Sequence, residues 1–240
     1  RLSPEDIEEF KKRRAKSKIA PVFVHVPYLI NLASPYSVLY KNSIKAYIED
    51  VKEAEVLGIE YVVTHMGSHK KSGEKIGLKR ITSALNKILE RTKKSPVKLL
   101  LENTSGSGSW LGYIFEHQRQ IIDGLEYKNK VGICLDTCHA YSSGYDLATP
   151  EGDKDTLSQL DTIVGLERLK LIHLNDTKDM FASKRDRHEH IGKGKIGLEG
   201  FRRLLNDTRL KDAAFILETP KDSDEADKRN LALVRKLAKI

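Results

Sequence analysis

The sequence predicts an α/β fold built on a parallel sheet, and three observations lead there. Short apolar runs alternate with longer amphipathic stretches along the whole 240-residue chain. Each run is five or six residues rich in Val, Ile and Leu, which is how strands buried on both faces of a parallel sheet read. No Pro/Gly/Ser linker or low-complexity tract divides the chain, so residues 1–240 are expected to form a single domain.

The elements follow in order. Ser3-Pro4-Glu5-Asp6 is a helix start, with a capping hydroxyl, Pro at the first helical position and an acid at the third. The first strand is expected over Pro21–Val26. Ile44, Ile48, Val51 and Ala54 recur at helical spacing and Gly58 marks the stop. A strand over Ile59–Thr64, a helix carrying Ile81, Leu85 and Ile88, and a strand over Val97–Leu101 come next. Further helical patterns near 113–127, 154–166, 198–208 and 226–238 separate strands at Val131–Leu135, Leu169–Leu174 and Ala213–Leu217. Six strands suit a doubly wound sheet, whereas a (β/α) barrel needs eight.

Composition bounds the function. Charged residues make up 32% of the chain, above the roughly 25% of an average soluble protein. No apolar run approaches the roughly 18 residues of a membrane span, and Arg1-Leu2-Ser3-Pro4 opens no signal-peptide core. The 42 Lys+Arg against 34 Asp+Glu give a net charge of +8, which suits a polyanionic partner. Cys134 and Cys138 are too few for a disulfide framework and are expected to pack near a strand end, so a cytoplasmic location is expected.

The chemistry gathers where the strands stop. The six runs end at His25, His65, Glu102, Asp136 with His139, His173, and Glu218, and the segment after the fifth adds Asp186 and His188. In parallel α/β folds, active sites lie at the carboxyl ends of the strands. Imidazoles and carboxylates converging there are costly without a cation, and this mixture suits zinc, with manganese or iron as substitutes. Nine ligands exceed what one ion takes; two or three ions fit better, and clustered metals suit phosphodiester hydrolysis.

The runs HVPYLINLASP (25–35), LENTSGSG (101–108), ICLDTCHAYSSGYD (133–146) and HLNDTKDMFASKRDRHEHIGKGKIG (173–197) closely resemble endonuclease IV, the zinc-dependent apurinic/apyrimidinic endonuclease family of base excision repair. The resemblance covers essentially the whole chain. It implies a TIM (β/α)8-type barrel, of which six βα units are recognisable here and the first two strands are expected to be absent. It implies three Zn2+ ions: one held by His25, His65 and Glu102, a second by Glu102, Asp136, His173 and Glu218, and a third by His139, Asp186 and His188. Glu102, Asp136 and Glu218 are the implied catalytic residues, as ligands that position the attacking hydroxide.

The implied reaction is hydrolysis 5′ to an abasic site in double-stranded DNA, leaving a 3′-hydroxyl and a 5′-deoxyribose phosphate, by a deoxyribonuclease IV-type enzyme. The resemblance places Tyr28 and Leu29 in the opened base stack. Arg187 and Lys193, with Lys178, Lys184, Arg185 and Lys195, are expected at phosphates. No membrane partner is expected, and a monomer is expected of a complete barrel. Two alternatives stay open. A xylose-isomerase-like sugar isomerase or epimerase would use a metal set like Glu102, Asp136, His173 and Glu218, with no role for His139, Asp186 and His188. A truncated, non-catalytic remnant would bind abasic DNA without cutting it.

Overall fold

The structure, a computed structural model, describes residues 2–238. The chain forms two compact units: the first runs to Leu101 and takes in Ile121–Gly132, and the second takes Glu102–Gln120 and the chain from Ile133 onward.

In the first unit, α1 (Pro4–Ser17) begins at the predicted cap. Ser3 Oγ accepts the Asp6 N–H at 3.1 Å and the Asp6 carboxylate reaches back to the Ser3 N–H, so two amides that lack helical partners are satisfied together. Arg14 ties this helix to the start of β2 (Tyr61–His65) through the Gly58 carbonyl and the Glu60 carboxylate. β1 (Phe23–His25) pairs in parallel with β2, with His25 opposite Val63.

Between these strands lies α2 (Ser37–Leu57), which stops at Gly58 in the left-handed conformation as expected. Its fully buried stripe is Ser43, Tyr47, Val51 and Ala54, which keeps the predicted Val51 and Ala54 and moves the first two positions by one residue. Ile44 and Ile48 sit half-buried on its flank, next to the fully buried Tyr47. The stripe on α3 (Glu74–Arg91) is as read: Ile81, Leu85 and Ile88 are wholly buried, each worth about 1.5–3 kcal/mol on transfer from water. Lys130 closes this helix's end, its ammonium donating to the carbonyls of Thr92, Lys93 and Ser95 at 3.1, 2.9 and 2.6 Å. The apolar run that follows forms β3 (Lys98–Glu102).

At the carboxyl ends of β1 and β2, Asn31 joins the two connecting loops. Its Oδ1 accepts the N–H groups of Ala33 and Ser68, and its Nδ2 donates to the Ser68 carbonyl, all at 3.0 Å. Gly67 makes this approach possible: its φ is +100°, and a Cβ there would lie 2.5 Å from Asn31 Oδ1.

Further along the chain, α4 (Phe115–Asp123) precedes β4 (Val131–Asp136), which is buried throughout. β4 pairs in parallel with β5 (Leu169–His173), and β5 with β8 (Ala214–Ile216). The register sets Asp136 beside His173 and His173 beside Ile216. Helices α6 (Pro150–Ile163), α7 (Gly197–Asn206) and α8 (Ala226–Leu237) match three of the predicted helical stretches.

Three details depart from the sequence reading. β1 and β8 are half-exposed rather than buried on both faces, since among the described residues β1 is bonded to β2 alone and β8 to β5 alone. A short helix, α5 (Thr137–Ser143), follows β4 directly. Two two-residue strands, β6 (Asp176–Thr177) and β7 (His188–Glu189), form a small antiparallel pair. Among the described residues, no helix is long and apolar enough to cross a membrane.

Candidate metal centre

Asp136 is the last residue of β4 and also the N-cap of α5. Its Oδ1 accepts the His139 N–H at 2.8 Å, which spends one oxygen on the helix start and turns the other, Oδ2, away from it. One helical turn on, this places His139 beside the same strand end. The capping pattern is thus the local reason that Asp136 and His139 act as a pair.

Of the overlapping sets of metal-capable atoms that the second unit gathers around Asp136, two contain no cysteine. Glu102, Asp136, His173 and Glu218 bring one ligand atom each within 4.8 Å of one another, and so do His139, Asp186 and His188. In the first set His173 Nδ1 lies 2.9 Å from Glu102 Oε1, 3.2 Å from Glu218 Oε2 and 3.9 Å from Asp136 Oδ2. In the second, His139 Nε2 is 3.0 Å from Asp186 Oδ2 and His188 Nε2 is 3.2 Å from Asp186 Oδ1. Asp136 stands beside both sets, its Oδ2 being 3.7 Å from His188 Nε2. In the first unit the His25 and His65 rings lie side by side, their centroids 5.0 Å apart.

The donor chemistry fits cations. Glu102 and Asp136 are buried, with 1% and 0% exposure, and buried carboxylates need a compensating charge. Three imidazoles are oriented by backbone carbonyls: His25 Nδ1 donates to Val26 O at 2.8 Å, His139 Nδ1 to Asn103 O at 3.0 Å and His188 Nδ1 to Glu218 O at 2.9 Å. Each bond fixes the tautomer whose lone pair is on Nε2, the outer support that metal-ligating histidines carry. Burial opposes the charged form of His139, yet the Asp136 charge and the Asp186 hydrogen bond outweigh it and lift the ring to about 10. His188 is raised to about 9 against its burial by Asp186 and Asp136. Asp186 is held far below the carboxylate range, its burial overcome by the two imidazoles. In each case the field favours positive charge at this place.

Further side chains, not singled out from the sequence, hold these residues. Asn103 Oδ1 accepts the Asp136 N–H at 2.7 Å and its Nδ2 donates to the Asp136 carbonyl at 3.0 Å. Asn175 Nδ2 donates to Asp136 Oδ2 at 2.6 Å, and its Oδ1 accepts the Glu218 N–H at 2.8 Å. The one signal in the sequence is position: Asn103 follows Glu102, and Asn175 lies two residues past His173.

The expected DNA-facing residues fall as follows. Tyr28 and Leu29 form the tip of a turn closed by the Ile30 N–H on Pro27 O, and are 69% and 82% exposed. Lys193 is exposed. Arg187 is committed to a two-pronged bond with Asp179, at 2.6 and 2.5 Å, so its charge is largely neutralised before any phosphate arrives. Lys184 lies over the Tyr113 ring at 5.5 Å. Both cysteines are buried and form no disulfide, and burial pushes each thiol up to about 12. They lie near the site, as expected, and their sulfurs come within reach of its ligands, Cys134 beside Glu102 and His173 and Cys138 beside Asp136 and His188. His117 accepts the Gly112 N–H and His190 meets Asp222, both structural contacts.

A family model described as a xylose isomerase-like TIM barrel matches residues 1–238. A probable endonuclease 4 of Chloroflexus aurantiacus is 44% identical over 98% of this chain and 83% of its own length. The chain belongs to the endonuclease IV family. A second member, a probable endonuclease 4 of Methanoculleus marisnigri, is 42% identical over 99% of the chain and 84% of its own length. The crystal structure of endonuclease IV from Thermus thermophilus superposes with a TM-score of 0.87 at 38% identity, over 100% of this chain and 83% of that one. A D-tagatose 3-epimerase-like protein, 22% identical with a TM-score of 0.79 over 99% of this chain and 84% of that one, shares the fold. The fold is therefore of the TIM-barrel type that the resemblance implied, where the strand and helix alternation alone gave an α/β class.

Proposed function

We propose that this chain is a metal-dependent repair endonuclease that hydrolyses the phosphodiester 5′ to abasic sites in double-stranded DNA, leaving 3′-hydroxyl and 5′-deoxyribose phosphate ends. The observation that carries the reading is the pair of ligand sets flanking Asp136, in a chain 44% identical to a relative named a probable endonuclease 4.

Glu102, Asp136, His173 and Glu218 would hold one ion, His139, Asp186 and His188 another, and His25 and His65 would ligate a third; Zn2+ suits this nitrogen and oxygen set, with Mn2+ or Fe2+ as substitutes. Bound divalent ions supply Lewis acidity at the phosphate and make water a nucleophile at neutral pH. The protein's own part is geometric. Asn103 and Asn175 hold Asp136 from both sides, Asn175 also holds the Glu218 backbone, and the carbonyls behind His25, His139 and His188 point Nε2 outward. Tyr28 and Leu29, exposed at the tip of a hydrogen-bonded turn, suit the gap an extruded abasic nucleotide leaves in the stack. Lys193 and its basic neighbours suit the flanking phosphates, and Arg187 would reach one only on leaving Asp179. Residues 1–240 act as one catalytic domain, and the substrate places the protein in the cytoplasm at the nucleoid.

A sugar isomerase of the same fold would use the first set and leave His139, Asp186 and His188 without work, which favours the nuclease. The deciding experiment is a nicking assay on a duplex with one stable abasic analogue, with zinc and with a chelator. A single cut 5′ to the lesion, lost on prolonged chelation, is the expected result. Binding without cleavage across all three metals would move the assignment to the non-catalytic reading.

A further inference from the structure

Asp176 is wholly buried and touches neither ligand set, yet its carboxylate is surrounded by backbone N–H groups. Oδ1 accepts from Thr177 at 2.9 Å and Ile196 at 3.0 Å; Oδ2 accepts from Gly194 at 2.9 Å and Gly197 at 3.3 Å. Among the described residues no lysine or arginine side chain pairs with it. A buried anion satisfied by amides alone is an organiser of backbone. Three of these amides belong to one short segment, 194–197, and the Lys195 N–H adds a bond to Thr177 O at 2.9 Å.

The fit is close enough to dictate a residue. A Cβ on Gly194 would sit 2.2 Å from the Thr177 carbonyl and 2.5 Å from Asp176 Oδ1, so only glycine brings the backbone into the grip. The other end of the segment is tied as well, by the Ile191 N–H on Asn230 Oδ1 at 3.1 Å. Between the two anchors Lys193 and Lys195 are exposed, and among the described residues neither ammonium meets a carboxylate.

β6 carries the grip, and it pairs with β7, setting Thr177 opposite His188. Asn175, the residue before Asp176, holds Asp136 and the Glu218 backbone. One three-residue stretch therefore sets the ligand sets and the two lysines in a common register. We propose that Asp176 is a positioning residue for DNA: it fixes the segment that presents Lys193 and Lys195 to the phosphates next to the scissile bond. This rests on the endonuclease reading. The physical gain is pre-organisation, because a segment ordered on folding is not ordered again at the expense of affinity on binding.

The test compares the full chain with Asp176→Asn, which keeps the shape but turns an amide toward amides. Duplex binding is read by fluorescence anisotropy and nicking by KM and kcat, across a range of salt. Expected are a rise of about tenfold in Kd and KM, kcat within about twofold and unchanged zinc content. The plot of log Kd against log salt should flatten by about one for each lysine that no longer reaches a phosphate. Lys193→Ala should cost much less in the Asp176→Asn background than in the parent, which a merely structural role would not produce. Where Asp176→Asn fails to fold, Gly194→Ala is the second variant and should show the same signature. Parental Kd and salt slope in a folded variant, or an equal Lys193→Ala cost in both backgrounds, overturn the inference alone. A parent chain that neither binds nor nicks abasic duplex overturns the endonuclease reading and the inference with it.

Discussion

The Asn175 side-chain amide donates to Asp136 Oδ2 across 2.6 Å, while Asp136 Oδ1 accepts the His139 N–H at 2.8 Å. Both carboxylate oxygens are thereby aimed before any cation binds. Asp136 is wholly buried, so an unaimed carboxylate there would carry a desolvation cost with nothing to offset it.

Asn175→Ala should therefore weaken metal binding. Loss of such an outer support typically lowers metal affinity about 10- to 100-fold, and the Glu218 N–H loses its acceptor as well. Competition of the folded protein against a chromogenic chelator measures this directly. Affinity within about twofold of the parent would show that the aim of Asp136 does not depend on Asn175.

Glu218→Gln should abolish cleavage and keep DNA binding. The change removes one charge from the set around His173, whose Nδ1 lies 3.2 Å from Glu218 Oε2, and leaves the exposed basic residues alone. A fall of at least about a thousandfold in kcat is expected, the scale of losing transition-state charge stabilisation. Near-parental turnover would remove Glu218 from the ligand assignment.

Tyr28→Ala should reduce selectivity without reducing stability. The ring is exposed at the tip of its turn, so truncation opens no cavity. The ratio of Kd for intact duplex to Kd for abasic duplex should fall by about 10-fold, as stacking on a base is worth about 1–3 kcal/mol. An unchanged ratio would take Tyr28 out of the base stack.

Asp153 makes a pH prediction. Burial pushes its carboxyl up to about 6, against the pull of Arg203 at 3.6 Å. A folded value above the unfolded one near 3.8 means the folded chain holds the extra proton between about pH 4 and about pH 6. Stability from this group is thus full below that window and falls as pH rises through it. Asp153→Asn should gain on the metal-free parent by about 1–3 kcal/mol between about pH 4.5 and about pH 7. Urea midpoints of both chains at the two pH values test it, and a constant difference would contradict it.

Much of the fold was legible. The runs ending at Leu101, Leu135 and Leu174 coincide with strands because burial on both faces forces a continuous apolar stretch. Ser3 and Gly58 mark helix ends because capping chemistry is local. The stretch Thr137–Ser143 carries no helical apolar stripe, and it forms α5 because Asp136 caps it and its surroundings bury all of it but Ser143. β6 and β7 are two residues each, too short for any pattern, and exist because each has the other as partner.

The candidate ligands were readable because a strand that must stop at a site stops at a polar residue, and the order of residues alone records that. Which atoms face one another is another matter. That Asp136 serves two sets, that Asn175 aims it, that Arg187 is spent on Asp179 while Lys193 stays exposed, and that Asp176 grips residues 194–197 are contacts between segments from 8 to more than 30 residues apart. Strand composition and helix caps are short-range properties of neighbouring residues, so they stand in the one-dimensional chain. Hydrogen bonds and shared charge depend on distances of about 3 Å, which only strand register and the return of the chain bring about.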